Sequence, residues 1–101
     1  MNRPHFLARA QTELEDSAVW YEKQGTGLGD RFLDEFQKKL DLVLESPEIF
    51  PLKKKKYREA VLKNFPFSII FEFDREEKAI IIISVFHNSR NPKKKFKQRK
   101  N

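Results

Sequence analysis

In the stretch Val85, Phe86, His87, Asn88, Ser89, Arg90, Asn91 and Pro92, an apolar run ends in an imidazole, a guanidinium and a turn-forming Asn-Pro. An imidazole titrates nearest neutrality, so His87 at a strand end beside cations is a candidate general acid or base. A structural His closing the end of a sheet explains the same pattern. Earlier in the chain, Lys53, Lys54, Lys55 and Lys56 lead into Arg58. Four consecutive lysines cannot all face one ligand; two of them, Lys54 and Lys56, are candidates for contact, and a wholly solvated loop accounts for the run equally. Arg58 is more specific because it shares strand parity with Ala60 and Leu62. A fixed guanidinium holds a phosphate bidentately or stabilises charge developing on it, which a mobile Lys does less well.

Lys63 belongs to the same basic half, and Arg90, Lys93 and Lys94 begin a tail that continues through Lys95, Phe96, Lys97, Arg99 and Lys100 without an acidic residue. One aromatic among cations permits base stacking or docking on the core; a solubilising tail accounts for it as well. No metal-ligand spacing, Gly-rich phosphate loop or Ser/His/Asp arrangement is present, so no metal and no cofactor are expected. Acidic pairs such as Asp34 and Glu35 read as helix surface, and His5 as incidental.

The chain has 101 residues and a net charge of +6. That length suits one domain. The charge is unevenly spread: residues 1–50 carry six Lys/Arg against ten Asp/Glu, whereas residues 51–101 carry fifteen against five. A positive field confined to the second half favours a polyanionic partner, either nucleic acid or an acidic protein segment, or else serves solubility alone. Ten Phe within a 39% hydrophobic composition are enough to build an interior, and the absence of Cys excludes disulfides, thiolate metal sites and Cys nucleophiles. The longest apolar run, Ala79 to Ile83, is too short to cross a bilayer and residues 1–10 lack a signal-peptide core. A cytosolic protein without a membrane partner is expected.

The elements that must position these residues follow from periodicity. Leu14, Ala18 and Tyr21 form one apolar stripe from Ala10 onward, which predicts an amphipathic helix stopped by Gly25 and Gly27 in left-handed conformation. Phe32, Phe36, Leu40 and Val43 predict a second helix, capped by Asp30 and ended by Pro47. The short link makes the two an antiparallel hairpin. Alternation then predicts strands around Arg58–Leu62, Phe67–Phe73 and Ile80–Phe86, the last two joined through the polar turn Asp74–Lys78. Ile80–Phe86 is apolar on both faces except Ser84, as suits an interior strand. Residues Arg3–Leu7 are a further candidate strand. The fold class is therefore α+β: an N-terminal helical hairpin packed on a three- to four-stranded antiparallel sheet.

Read in order, Trp20-Tyr21-Glu22-Lys23-Gln24, Gly27-Leu28-Gly29-Asp30-Arg31-Phe32, Ser46-Pro47-Glu48-Ile49-Phe50-Pro51, Arg58 and Leu62, Phe65-Pro66-Phe67-Ser68-Ile69, and Val85-Phe86-His87 with Ser89, Arg90 and Pro92 resemble the ParE branch of the RelE/ParE toxins. The resemblance covers about residues 8–92, leaving residues 1–92 as one toxin domain and 93–101 as a basic tail. It implies a toxin that arrests growth and is neutralised by a cognate antitoxin, acidic and partly extended. ParE-like members act on DNA gyrase; RelE-like members cut mRNA on the ribosome, for which Arg58, His87 and Arg90 would be the catalytic set here. The RelE pattern also has a C-terminal Tyr, whereas the tyrosines of this chain are Tyr21 and Tyr57. The ParE-like reading is therefore favoured, with the ribosome-dependent endonuclease and a non-toxic basic nucleic-acid-binding module as alternatives. In each of them Lys54, Lys56, Arg58, Lys63, Arg90, Lys93 and Lys94 are the expected contact residues.

Overall fold

A computed structural model of the chain describes residues 2–89. Strand β1 (Arg3–Phe6) leads into helix α1 (Ala8–Gln24) and helix α2 (Leu28–Glu45). A 3-10 turn over Pro47–Ile49 follows, then β2 (Leu52–Lys54), β3 (Tyr57–Val61), β4 (Phe67–Asp74) and β5 (Ala79–His87). The five strands form one sheet in the order β1-β5-β4-β3-β2. Architecture and element order match the expected α+β hairpin-on-sheet, with two differences. The sheet has five strands rather than three or four, because the Arg3–Leu7 candidate is a strand and part of the lysine run, Leu52–Lys54, pairs with β3. It is also not wholly antiparallel: β1 runs parallel to β5 at one edge. The helices intervene between β1 and the rest, which leaves that direction open to it.

The helical hairpin closes through a device that periodicity does not reveal. Gly25 ends α1 in extended conformation, and it is Gly27, with φ +82°, that turns left-handed and begins α2. Asp30 is not the cap. The carboxylate of Glu22 on α1 reaches over and accepts the N–H groups of Gly27 and Gly29, each at 3.0 Å, satisfying donors that a helix start leaves without partners. Gly29 is buried where the helices cross, and a Cβ there would stand 2.7 Å from the Ala18 carbonyl oxygen.

The apolar stripe of α2 (Phe32, Phe36, Leu40, Val43) meets Phe67, Ile69 and Phe71 of β4 and Ile80, Ile82 and Val85 of β5 in one core. Phe32 is fully buried, edge-on to Phe65 and Phe67. A smaller cluster, Tyr57, Ile70, Ile83 and Phe86, is distinct from it. Both clusters draw on β5, which lies between β1 and β4, and this explains why its sequence is apolar on both faces. Opposite Ile70 and Phe71 the register slips: Ile70 faces Ser84 but Phe71 faces Ile82, leaving Ile83 as an extra residue, a β-bulge.

Candidate functional site

The sequence-derived cations divide between two regions of the sheet. Lys54, Lys56 and Arg58 lie on and between the edge strand β2 and its neighbour β3, next to the 3-10 turn. Lys54 and Lys56 are exposed, and Lys56 makes a 3.5 Å ion pair with Glu72. Arg58 is half-buried, and its Nη1 donates to the carbonyl oxygen of Phe50 at 2.6 Å. That bond ties the guanidinium to the segment entering β2. A concavity of about 310 Å³ opens here between Leu52, Lys55, Lys56, Arg58, Phe73 and Arg75. Ile49 and Leu52 expose more than half of their surface beside it, so the region presents aliphatic carbon among cations. Glu48 pairs with Arg75 at its margin. Composition alone marked the lysines; Leu52, Ile49 and Arg75 become part of the surface only through the fold.

His87 and Lys63 stand at the opposite end of β4. His87 lies across from Phe67, and its ring packs edge-on to the Phe67 ring with centroids 4.9 Å apart. The His87 Nδ1 accepts the backbone N–H of Ser89 at 3.1 Å and contacts the Ser89 hydroxyl at 2.7 Å. An N–H donor requires a lone pair on Nδ1, so in this arrangement the ring hydrogen sits on Nε2. His87 thus borders a cleft of about 430 Å³ whose other walls include Asp16, Trp20, Tyr21, Phe67 and Ser89. Tyr21 sits between Trp20, Phe32, Phe65 and Phe67, and its burial raises the phenol pKa above the ordinary value of 10.0. Lys63 is exposed in the β3–β4 turn.

The sheet register fixes how far apart these two regions are. Arg58 stands opposite Phe71, four residues along β4 from Phe67, which stands opposite His87. At about 3.4 Å per residue and about 4.8 Å per strand step, the two Cα atoms are about 17 Å apart. By backbone position Arg58 and His87 therefore stand toward different ends of β4. Arg90, Lys93 and Lys94 lie outside the described residues. Among the described residues there is no group of three or more His, Asp or Glu fit to hold a metal, and no helix is long and apolar enough to cross a membrane.

A polar cluster lies beyond the bulge. Ser68, fully buried, donates its hydroxyl to Glu59 at 2.6 Å and lies 3.0 Å from the side-chain oxygen of Asn88. Alternation sets Ser68 and Glu59 each on the polar side of its own strand and gives no sign that they are buried together.

A family model of the ParE toxin of type II toxin-antitoxin systems, parDE, matches residues 5–92. Among solved structures, the chromosomal ParDE toxin-antitoxin system of P. aeruginosa is similar at 16% identity and TM-score 0.67, over 86% of this chain and 96% of that one. The toxin-antitoxin complex RelBE of E. coli is similar at 24% identity and TM-score 0.61, over 89% and 100%. The isolated E. coli RelE toxin gives 22% identity and TM-score 0.62, over 94% and 93%. At these identities the likeness is one of fold. No curated protein matches significantly.

Proposed function

Because this chain belongs to the ParE family of toxins from type II toxin-antitoxin systems, we propose that it arrests growth as a ParE-like, non-enzymatic inhibitor of DNA gyrase and is neutralised by a cognate antitoxin. The observation that carries the choice of target is the separation of Arg58 from His87. Cleavage of RNA by its own 2′-hydroxyl needs a proton acceptor, a proton donor and a cation around one phosphate, with each group within hydrogen-bond reach of the reacting atoms. The Cα atoms of the candidates for two of those roles stand about 17 Å apart by strand spacing, and one N–H of the Arg58 guanidinium is held by the Phe50 carbonyl. An inhibitor needs only a complementary surface. The cationic, aliphatic-studded region around Lys54, Lys56, Arg58 and Leu52 offers one; Lys63 at the other end of β4, and Arg90, Lys93 and Lys94 later in the sequence, are the remaining proposed contacts.

The antitoxin is proposed as a small acidic protein whose partly extended segment lies on the basic half of the toxin. Toxin-antitoxin complexes among the structural relatives support such a partner, and the excess of ten positive charges in residues 51–101 supplies the complement. Residues 1–92 form the toxin domain in this reading, with 93–101 as a basic extension. The deciding experiment is DNA supercoiling by purified gyrase with the purified toxin in excess. Loss of supercoiling that added antitoxin restores is the expected result. Unimpaired supercoiling, together with codon-phased new mRNA 5′ ends after induction in cells, would replace the proposal with a ribosome-dependent endonuclease.

A further inference from the structure

The cleft beside His87 differs in chemistry from the rest of the chain. In a protein of net charge +6, no Lys or Arg among the described residues lines it. It is lined by the aromatic residues Trp20, Tyr21, Phe67 and His87 together with Asp16, Ser17 and Ser89. Trp20 leaves 57% of its surface exposed although an indole buries well, and it meets Tyr21 edge-on at 5.1 Å. Asp16 and Trp20 are one helical turn apart, so they share a face of α1.

The other carboxylates of α1 are all engaged. Glu13 holds Arg9 and Ser84, Glu15 accepts from Gln11, and Glu22 caps α2. Asp16 alone on this helix has no hydrogen-bond or ion-pair partner for its carboxylate among the described residues. An unpaired carboxylate beside an exposed indole repels phosphate and acidic peptide and suits a delocalised cation. A guanidinium stacks on an aromatic face while donating two parallel hydrogen bonds to a carboxylate.

We propose that this cleft is a docking site for an arginine side chain presented by a basic segment of a partner protein. The aromatic walls take the planar face of the guanidinium, and Asp16 takes its edge. Partner charge separates this surface from the cationic one at β2 and β3: acidic segments belong there, basic ones here. The site does not depend on which target the toxin inhibits.

Trp20 is the single tryptophan of the chain, so its fluorescence reports the cleft directly. Purified full-length protein is titrated with acetyl-Ala-Arg-Ala-amide, and in parallel with the peptide carrying citrulline, an uncharged isostere, in place of arginine. The arginine peptide is expected to give a saturable change in the millimolar range, and the citrulline peptide a binding constant at least about tenfold weaker, the value of a charge-assisted pair. Asp16→Asn should weaken arginine binding by a similar factor, while Glu15→Gln, which removes a charge from the same helix but not from the cleft, should leave it unchanged. Both positions are exposed, so both variants keep the fold. Equal response to the two peptides, an unaffected Asp16→Asn, or no saturable change at all overturns the proposal.

Discussion

Glu13, on the first helix, grips Ser84 at the bulge of β5. Its Oε1 accepts the Ser84 hydroxyl at 2.7 Å and the Val85 N–H at 3.0 Å, while Oε2 pairs with Arg9 at 3.2 Å. An extra residue in a strand disrupts the ladder locally, and here a carboxylate from the layer above binds at the disruption. The helix is thereby keyed to one register of β5, an arrangement in which a polar network specifies position as well as contributing energy.

Removing that carboxylate should be costly. Glu13→Ala is expected to destabilise the fold by about 2 kcal/mol, since it strands a partly buried hydroxyl and main-chain N–H, whereas Ser84→Ala, which removes one of the two donors, should cost less. Urea denaturation of both single variants and the double variant checks this. The double-mutant cycle should show coupling between the two positions, and additive losses would mean the contact carries no energy of its own.

Glu22 and Gly29 form the second keyed contact. Glu22→Ala should cost about 1 kcal/mol through loss of the bonds to the first turn of α2. Gly29→Ala should cost more, because its methyl would stand 2.7 Å from a main-chain oxygen that cannot move without shifting the helix. Thermal unfolding of the two variants gives the order directly, and a Gly29→Ala protein as stable as the parent would show that the helices are free to separate.

Much of this architecture is legible in the residues, and the parts that are not have physical reasons. Phe32, Phe36, Leu40 and Val43 announce α2 because one buried stripe obeys a 3.6 period, and Phe67, Ile69 and Phe71 announce β4 by the period of two. β1 and β2 are harder to read, since their residues are almost all exposed and pair through main-chain groups that carry no side-chain signal. Capping is a local rule and points to Asp30 in the sequence, while the group that performs it, Glu22, lies five and seven residues upstream of the N–H groups it serves. The resemblance groups Arg58, His87 and Arg90, and only strand register shows how far apart the backbones of Arg58 and His87 lie. Trp20 carried a signal in its position: it lies outside the stripe of Leu14, Ala18 and Tyr21, where a large aromatic has no core to enter.

Tyr21 makes stability depend on alkaline pH. Burial raises its pKa, so the folded state resists ionisation that the unfolded chain accepts at about pH 10. Its contribution is complete below the unfolded value and is lost as pH rises through the higher folded one. Chemical denaturation across this range should show stability falling above about pH 10 more steeply in the parent than in Tyr21→Phe. Parallel curves for the two proteins would mean the phenol is as well hydrated as in a free chain.

The cationic edge should act mainly through association. Lys54 and Lys56 are exposed, and Lys56 has only a 3.5 Å surface pair with Glu72 to lose, so reversing both charges should leave stability within about 0.5 kcal/mol. Arg58→Ala differs because the Phe50 carbonyl loses its donor, and a change in stability is expected alongside any change in binding. If the region contacts an acidic surface on the target or antitoxin, Lys54→Glu with Lys56→Glu should lower the association rate by about tenfold at low ionic strength, and the difference should shrink as salt rises. Stopped-flow measurement of toxin-antitoxin association at two salt concentrations separates this from loss of fold. A rate indifferent to charge reversal would move the contact elsewhere on the sheet, because steering by like-signed surface charge cannot vanish where that charge faces the partner.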